Sequence, residues 1–317
     1  NYINNGNGNN CAVFTETGNT PPTVAEVNNY VLPVSTPFQL TAVGQDTDGD
    51  ALTYCWEQMD NEVGNMPPQS TNTQGPAFRS YSPTESPTRY FPRLSDLVSG
   101  GGDGWEALPS VSRAMSFRVT LRDNNLGSGC TTEEDLELTF TESAGPFVVQ
   151  TPNDSLGWTI GQTETVTWDV ANTDAAPVSC AEVDILLSLD GGLTYPVILA
   201  SQVPNDGSYT LQVPNQITAT ARVMVVCSDN IFFDISDEDF SINEPTEPTF
   251  VMAVSPLSLE VCSDVDTVNY DLDLAAFLGF DQTVNLSATG VPANATVTFS
   301  DNAIFPTSTA TVTIGFS

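Results

Sequence analysis

What most constrains this chain is a local pattern that repeats from one end to the other. Short runs of β-branched, aliphatic and aromatic residues recur with almost no 3.6-residue periodicity between them. They occupy residues 38–43, 51–56, 115–121, 136–140, 164–170, 183–189, 209–213, 221–227, 267–274, 283–288, 295–299 and 309–314. Successive side chains of a strand point to opposite faces, so each alternating run presents one apolar face that a second sheet has to cover. Turn-forming residues separate the runs, as at Asp190-Gly191-Gly192, Asn205-Asp206-Gly207 and Val291-Pro292. The expectation is an all-β chain of tandem immunoglobulin-like or cadherin-like antiparallel β-sandwiches.

At roughly 100–150 residues per domain, 317 residues predict two or three such units. Residues 1–20 read as a tail belonging to an upstream domain. The first sandwich is expected over 21–143, opening at Pro21-Pro22, and the second over 144–242, beginning at Gly145-Pro146 after a short, stiff hinge. Residues 243–249 form an acidic, proline-spaced linker of extended character. The remaining residues, 250–317, fall short of the roughly 100 that a full sandwich uses. Its last strands are therefore expected to come from further chain or from another molecule. Residues 59–112 are too long for a hairpin loop and read as an insertion in the first sandwich, and long ordered insertions are more often functional than short ones.

The composition removes whole classes of chemistry. The chain has no histidine and no lysine; it carries 40 carboxylates against 7 arginines, a net charge of -33. Without imidazole there is no His-based zinc site, no Ser-His or Cys-His nucleophile pair, and no side chain that titrates near neutrality unperturbed. The charge repels nucleic acid and anionic lipid, and it leaves divalent cations and basic partners as electrostatic company. No apolar run reaches the roughly 18–20 residues of a membrane span, the longest candidate at 221–233 being interrupted by Ser228, Asp229 and Asn230.

Six cysteines stand singly at 11, 55, 130, 180, 227 and 262, without Cys-x-x-Cys spacing, and read as disulfides of an oxidising compartment. Cys180 with Cys227 is the first choice and Cys55 with Cys130 the second. Cys11 and Cys262 lie in different modules and are expected to pair elsewhere.

One loop carries metal-ligand chemistry. Asp46, Asp48 and Asp50 alternate around Gly49, a hard-oxygen arrangement suited to Ca2+. An EF-hand does not fit, because Ala51 stands where that loop needs glycine and Leu52-Thr53-Tyr54 is strand material. The segment is similar instead to the calcium loop at the start of a strand in cadherin-like sandwiches. Asp123 and Asn125, with Asn124, are placed to add oxygens from a neighbouring loop. The competing reading is a solvated Asp-Gly turn. The insertion contributes Phe78, Tyr81, Tyr90, Phe91 and Trp105, and all the arginines but Arg222 lie in it or just after it. Either these arginines pair with carboxylates while the rings pack on the sandwich, or the segment is a contact surface for extracellular protein or glycan.

The order of motifs TGNTPPTV, DTDGDALTYCWEQMD, GPAFRSYSPTESPTRYFPRL, AGPFVVQTPN, TVTWDV, ILLSLDGGLTYPVILA, PNDGSYTLQVP and NIFFDISDEDFSI over about residues 1–245 resembles the non-catalytic C-terminal region of secreted reprolysin-like zinc metallopeptidases of Bacteroidetes, which are type IX secretion substrates. The resemblance implies an extracellular or cell-surface location. It transfers no catalysis, because that family's His-Glu-x-x-His helix has no counterpart here. The sequence thus reads as a non-catalytic, calcium-stabilised spacer and adhesion or substrate-contact module. Two alternatives stand beside it: a self-assembling filament subunit whose partners are other copies of itself, and an accessory fragment of a metallopeptidase whose catalytic domain is absent.

Overall fold

The computed structural model describes residues 17–101, 104–155, 157–256, 259, 265–306 and 308–316. It is an all-β chain of tandem sandwiches, and the only helix among the described residues is the five-residue Leu94–Val98. In the first sandwich, strands Tyr30–Pro33, Thr131–Thr141, Arg113–Arg122 and Thr53–Gln58 lie side by side in that order. Phe38–Thr41 pairs with Thr88–Phe91 on the opposite layer. The strand Thr88–Phe91 lies inside the segment read as an insertion, yet it belongs to the sheet.

The second sandwich orders Trp158–Thr159, Phe240–Asn243, Thr218–Cys227, Glu182–Ser188 and Val197–Pro204 in one sheet, with Phe233–Ile235 also on Thr218–Cys227. Its other sheet is Ser208–Gln212, Thr163–Asp169 and Val148–Thr151. The third sandwich has Thr249–Ser255, Thr267–Phe277, Thr309–Phe316 and Ala295–Phe299, facing the pair Val284–Asn285 and Ala303–Ile304.

Two pairings depart from the antiparallel expectation. Tyr30–Pro33 runs parallel to Leu138–Thr141, and Trp158–Thr159 runs parallel to Ile242 and Asn243. In both sandwiches an early strand thus covers the edge of the closing strand, whose unpaired N–H and C=O groups would otherwise be exposed.

Inward positions follow the alternation. Arg113–Arg122 buries Met115, Phe117, Val119 and Leu121, and Thr131–Thr141 buries Leu136, Leu138 and Phe140 while Glu133, Asp135 and Glu137 stay outside. Thr218–Cys227 breaks the alternation, with every residue from Ala221 to Cys227 buried. Ala221, Val223 and Val225 face the main core; Met224 and Val226 face a second cluster on the other side of the sheet. A strand covered on both faces reads as a continuous apolar run.

The cover on that outer face comes from the first sandwich. Leu94, Leu97 and Val98 of the helix, together with Tyr90, pack with Met224, Val226, Phe233, Ile235 and Tyr195. Tyr90 meets Phe233 edge-on at 5.5 Å between ring centroids. A second seam is made by backbone: the amide of Gln39 donates to the Ile231 carbonyl at 2.9 Å, and that of Phe233 donates to the Pro37 carbonyl at 2.9 Å. The fully buried Thr36 hydroxyl accepts from the amide of Phe147 at 3.0 Å. At the connection itself Gly145 has φ +99°, and a Cβ there would lie 2.4 Å from the Val34 carbonyl oxygen, so no other residue fits without displacing backbone.

The disulfide joins Cys180 to Cys227 across a sequence separation of 47, with Cα atoms 6.0 Å apart. Closing a loop of that length stabilises by about 4 kcal/mol in the chain-entropy account. Cys55 and Cys130 are free thiols, which corrects their expected pairing. The register explains it: Cys55 lies opposite Thr120, which lies opposite Glu133, so Cys130 is two strands away and three residues along. Two strand spacings of about 4.8 Å already exceed the reach of a disulfide. Cys11 and Cys262 lie outside the described residues.

Candidate functional site

Two places in the first sandwich assemble side chains with chemistry. One is the loop that precedes strand Thr53–Gln58. There Asp46, Asp48 and Asp50 each bring a carboxylate oxygen within 4.8 Å of the others. Asp46 organises the loop: its Oδ1 accepts from the amides of Asp48 at 2.8 Å and Asp50 at 3.1 Å. The chain just before strand Thr23–Val24 crosses over this loop, and the Thr20 amide donates to Asp48 Oδ2 at 2.6 Å. Asn125 Nδ2 donates to Asp50 Oδ2 at 2.9 Å, tying in the loop after Arg113–Arg122.

Asp123 stands beside this group rather than in it. Its carboxylate accepts from the amides of Cys130 and Asn125 and from Asn19 Nδ2, the last at 2.7 Å. Burial pushes its carboxyl up, but these hydrogen bonds outweigh that and hold it below the ordinary range. Both of its oxygens accept hydrogen bonds in this arrangement, and the carboxylates that cluster are Asp46, Asp48 and Asp50 without it. Asn125 likewise offers the group its amide donor in this arrangement. Two oxygens at this end of the sandwich, Asp46 Oδ2 and Asn19 Oδ1, are buried and accept no hydrogen bond. Buried oxygen acceptors left unsatisfied beside three carboxylates suit a hard cation such as Ca2+, whose shell takes six to eight oxygens.

The second place is the outer face between strand Thr53–Gln58 and residues 79–94. The five aromatic residues read as either sandwich packing or a contact surface divide here. Phe78 and Phe91 are core: Phe91 stacks on Phe38 at 4.8 Å, and Phe78 meets both rings edge-on. That removes them from any surface. Tyr90 is half-buried against Phe233, whereas Trp105 is 44% exposed. Tyr81 carries the guanidinium groups of Arg93, Arg89 and Arg79 at 4.2, 4.9 and 5.3 Å from its ring centroid.

These arginines are held in place. Arg89 pairs with the buried Glu106 at 2.7 Å and donates to the carbonyls of Arg79 and Trp56. Burial pushes the Glu106 carboxyl up against the opposing pull of Arg89. Arg93 makes a two-pronged contact with Asp96 at 3.1 and 3.2 Å. Elsewhere Arg113 is buried and donates to the carbonyls of Asn72 and Gly75, pinning the long 59–75 connection to the sandwich. Arg118 pairs with Glu133 and Asp135, and Arg222 with Asp239. Beside Tyr81, Arg89, Arg93, Tyr90 and residues 54–56 of strand Thr53–Gln58 line a cavity of about 470 Å3. Among the described residues no helix is long and apolar enough to cross a membrane.

No protein-family model and no curated protein matches the sequence. Among solved structures, the tandem Ig repeats of Dlar align over 71% of this chain and 97% of theirs, at 11% identity and a TM-score of 0.36. The N-terminal Ig1-2 module of the Drosophila receptor protein tyrosine phosphatase DLAR aligns over 72% of this chain and 100% of its own, at 9% identity and 0.34. Drosophila N-cadherin EC1-3 aligns over 72% of this chain and 69% of its own, at 11% identity and 0.24. These likenesses concern the sandwich architecture, and no function is drawn from them.

Proposed function

We propose that this chain is a non-catalytic extracellular module, a braced spacer of β-sandwiches that presents a contact surface to protein or glycan and takes Ca2+ at Asp46, Asp48 and Asp50. The observation that carries the reading is the loop between Asp46 and Asp50. Three carboxylates, one of them with the unsatisfied buried oxygen Asp46 Oδ2, meet where the entering chain, the 46–50 loop and the 123–130 loop converge. A cation there neutralises like charges that otherwise repel and ties three separate segments together. The disulfide and the absence of histidine and lysine support an oxidising, extracellular setting and a structural rather than a catalytic role. The resemblance of residues 1–245 to the region that follows a reprolysin-like catalytic domain supplies the context in which we place it.

The test is thermal unfolding of the full chain in millimolar Ca2+ and in chelator. We expect a higher Tm with Ca2+, and expect Asp46→Asn to abolish the difference. Identical melting in both conditions defeats the calcium part of the reading.

A further inference from the structure

We propose that the cavity beside Tyr81 binds a neutral hexose unit of a glycan. The inference rests on the contact-surface reading above and names its site and ligand class. The cavity, about 470 Å3, falls within the roughly 300–1,000 Å3 of small-ligand pockets. Its aromatic lining is Tyr54, Tyr81 and Tyr90 over the buried Trp56, and its polar lining is Arg89, Arg93 and the hydroxyls of Ser82 and Thr84. Apolar ring surface beside fixed donors and hydroxyls is what a pyranose needs, since it shows one face of C–H groups and an edge of hydroxyls.

The polar groups are preorganised. Trp56 Nε1 is anchored on the Pro87 carbonyl at 3.0 Å, and Arg89 is fixed by Glu106. The carbonyls of Arg79 and Trp56 also accept from Arg89, so its guanidinium is held in one position at the edge of the lining. Arg93 is partly exposed, and Asp96 takes its Nε and one Nη2 hydrogen.

Charge selects against acidic ligands. The guanidinium groups of Arg89 and Arg93 are already matched by Glu106 and Asp96, and the chain as a whole carries -33. An anionic sugar or acidic peptide therefore gains no unmatched cation from either pair, and meets the repulsion of the whole chain with only Arg79 on the Tyr81 ring to set against it. A neutral ring meets no such penalty.

The experiment titrates the full chain, by saturation-transfer NMR and calorimetry, with cellohexaose, maltohexaose, mannohexaose, an oligogalacturonate and an acidic peptide. We expect at least one neutral oligosaccharide to bind. Ser82→Trp, at an exposed lining position, should fill the cavity and weaken that binding at least about tenfold, or about 1.4 kcal/mol, while leaving Tm unchanged. Arg93→Gln should weaken it by a smaller factor. The proposal is overturned if none of the neutral sugars binds, if only the oligogalacturonate or the peptide binds, or if neutral-sugar binding survives Ser82→Trp. Binding that survives that variant, or binding of the peptide alone, leaves the contact-surface reading intact at another ligand or place. Silence from every probe counts against both.

Discussion

Between residues 37–39 and 231–233 the backbone itself hydrogen-bonds from the first sandwich to the second, and one continuous cluster of buried side chains runs through both. The third sandwich meets the second through much less. Gln212 receives the amide of Met252 at 3.1 Å and donates to the Phe250 carbonyl at 3.0 Å, and Val251 reaches the shared core. Its own buried cluster, among the described residues, is Leu272, Leu274, Ile304 and Ala310. Between its two sheets lies an apolar groove of about 610 Å3 lined by residues such as Tyr270, Val297 and Ile314. Two sandwiches that share a core have to unfold together, whereas one joined by a few hydrogen bonds keeps its own stability.

Removing a ring from the seam is the strongest way to break that contrast. Phe232 is fully buried, packs on Phe147 at 5.3 Å and bridges to Phe38 of the first sandwich. Phe232→Ala should cost about 3–5 kcal/mol. Calorimetry should show the first and second sandwiches shifting down as one transition while the third stays in place. Separate movement of the first two would mean that their shared core does not couple them.

The converse substitution sharpens the comparison with a smaller effect. Leu272 is 4% exposed in the third sandwich. Leu272→Ala should cost about 2–3 kcal/mol, at the low end for such truncations because an open core collapses more readily around the gap. Only the third sandwich's transition should fall. If the main transition moves with it, the join at Gln212 transmits more than its hydrogen bonds account for.

The sequence made the sandwiches legible because alternation survives wherever a strand has one wet face, as in Thr131–Thr141 with Glu133, Asp135 and Glu137 outside and Leu136, Leu138 and Phe140 within. The Asp46, Asp48 and Asp50 group was equally legible, since three carboxylates within five residues need no tertiary information to meet. The Leu94–Val98 clasp leaves no local pattern of its own, although the sequence carries a signal for it elsewhere. The unbroken apolar run from Val223 to Cys227 requires a cover on both faces, and that cover lies more than a hundred residues upstream. For Phe78 and Phe91 the packing alternative holds over the contact-surface one, and pattern alone could not choose between them: the segment is proline-rich like a surface excursion, yet Thr88–Phe91 pairs with Phe38–Thr41 and both rings lie inward. The failure of the Cys55 and Cys130 pairing came from register, which spacing along the chain does not encode.

The mildest probe of the coupled pair is electrostatic. Asp234 sits in strand Phe233–Ile235, between the Tyr90-covered Phe233 and the core, and its Oδ2 accepts from the Val149 amide at 2.7 Å. Burial pushes its carboxyl up to about 7, against the pull of the amides of Val149 and Ile235 and with help from Asp237. A folded-state value above that of the unfolded chain means that the native state binds the extra proton between about pH 4 and 7, so this group's contribution is full at low pH and is lost as pH rises through 7. Between pH 6 and 8 the loss is about 1 kcal/mol. Asp234→Asn keeps an acceptor for Val149 and cannot ionise, so it should flatten that part of the pH profile and melt higher than the parent at pH 8. Because Asp234 lies in the shared unit, the change should appear in the joint transition of the first two sandwiches and leave the third untouched. Parallel pH profiles for the parent and the variant would show that the carboxylate is already ionised at neutral pH and that the seam tolerates its charge.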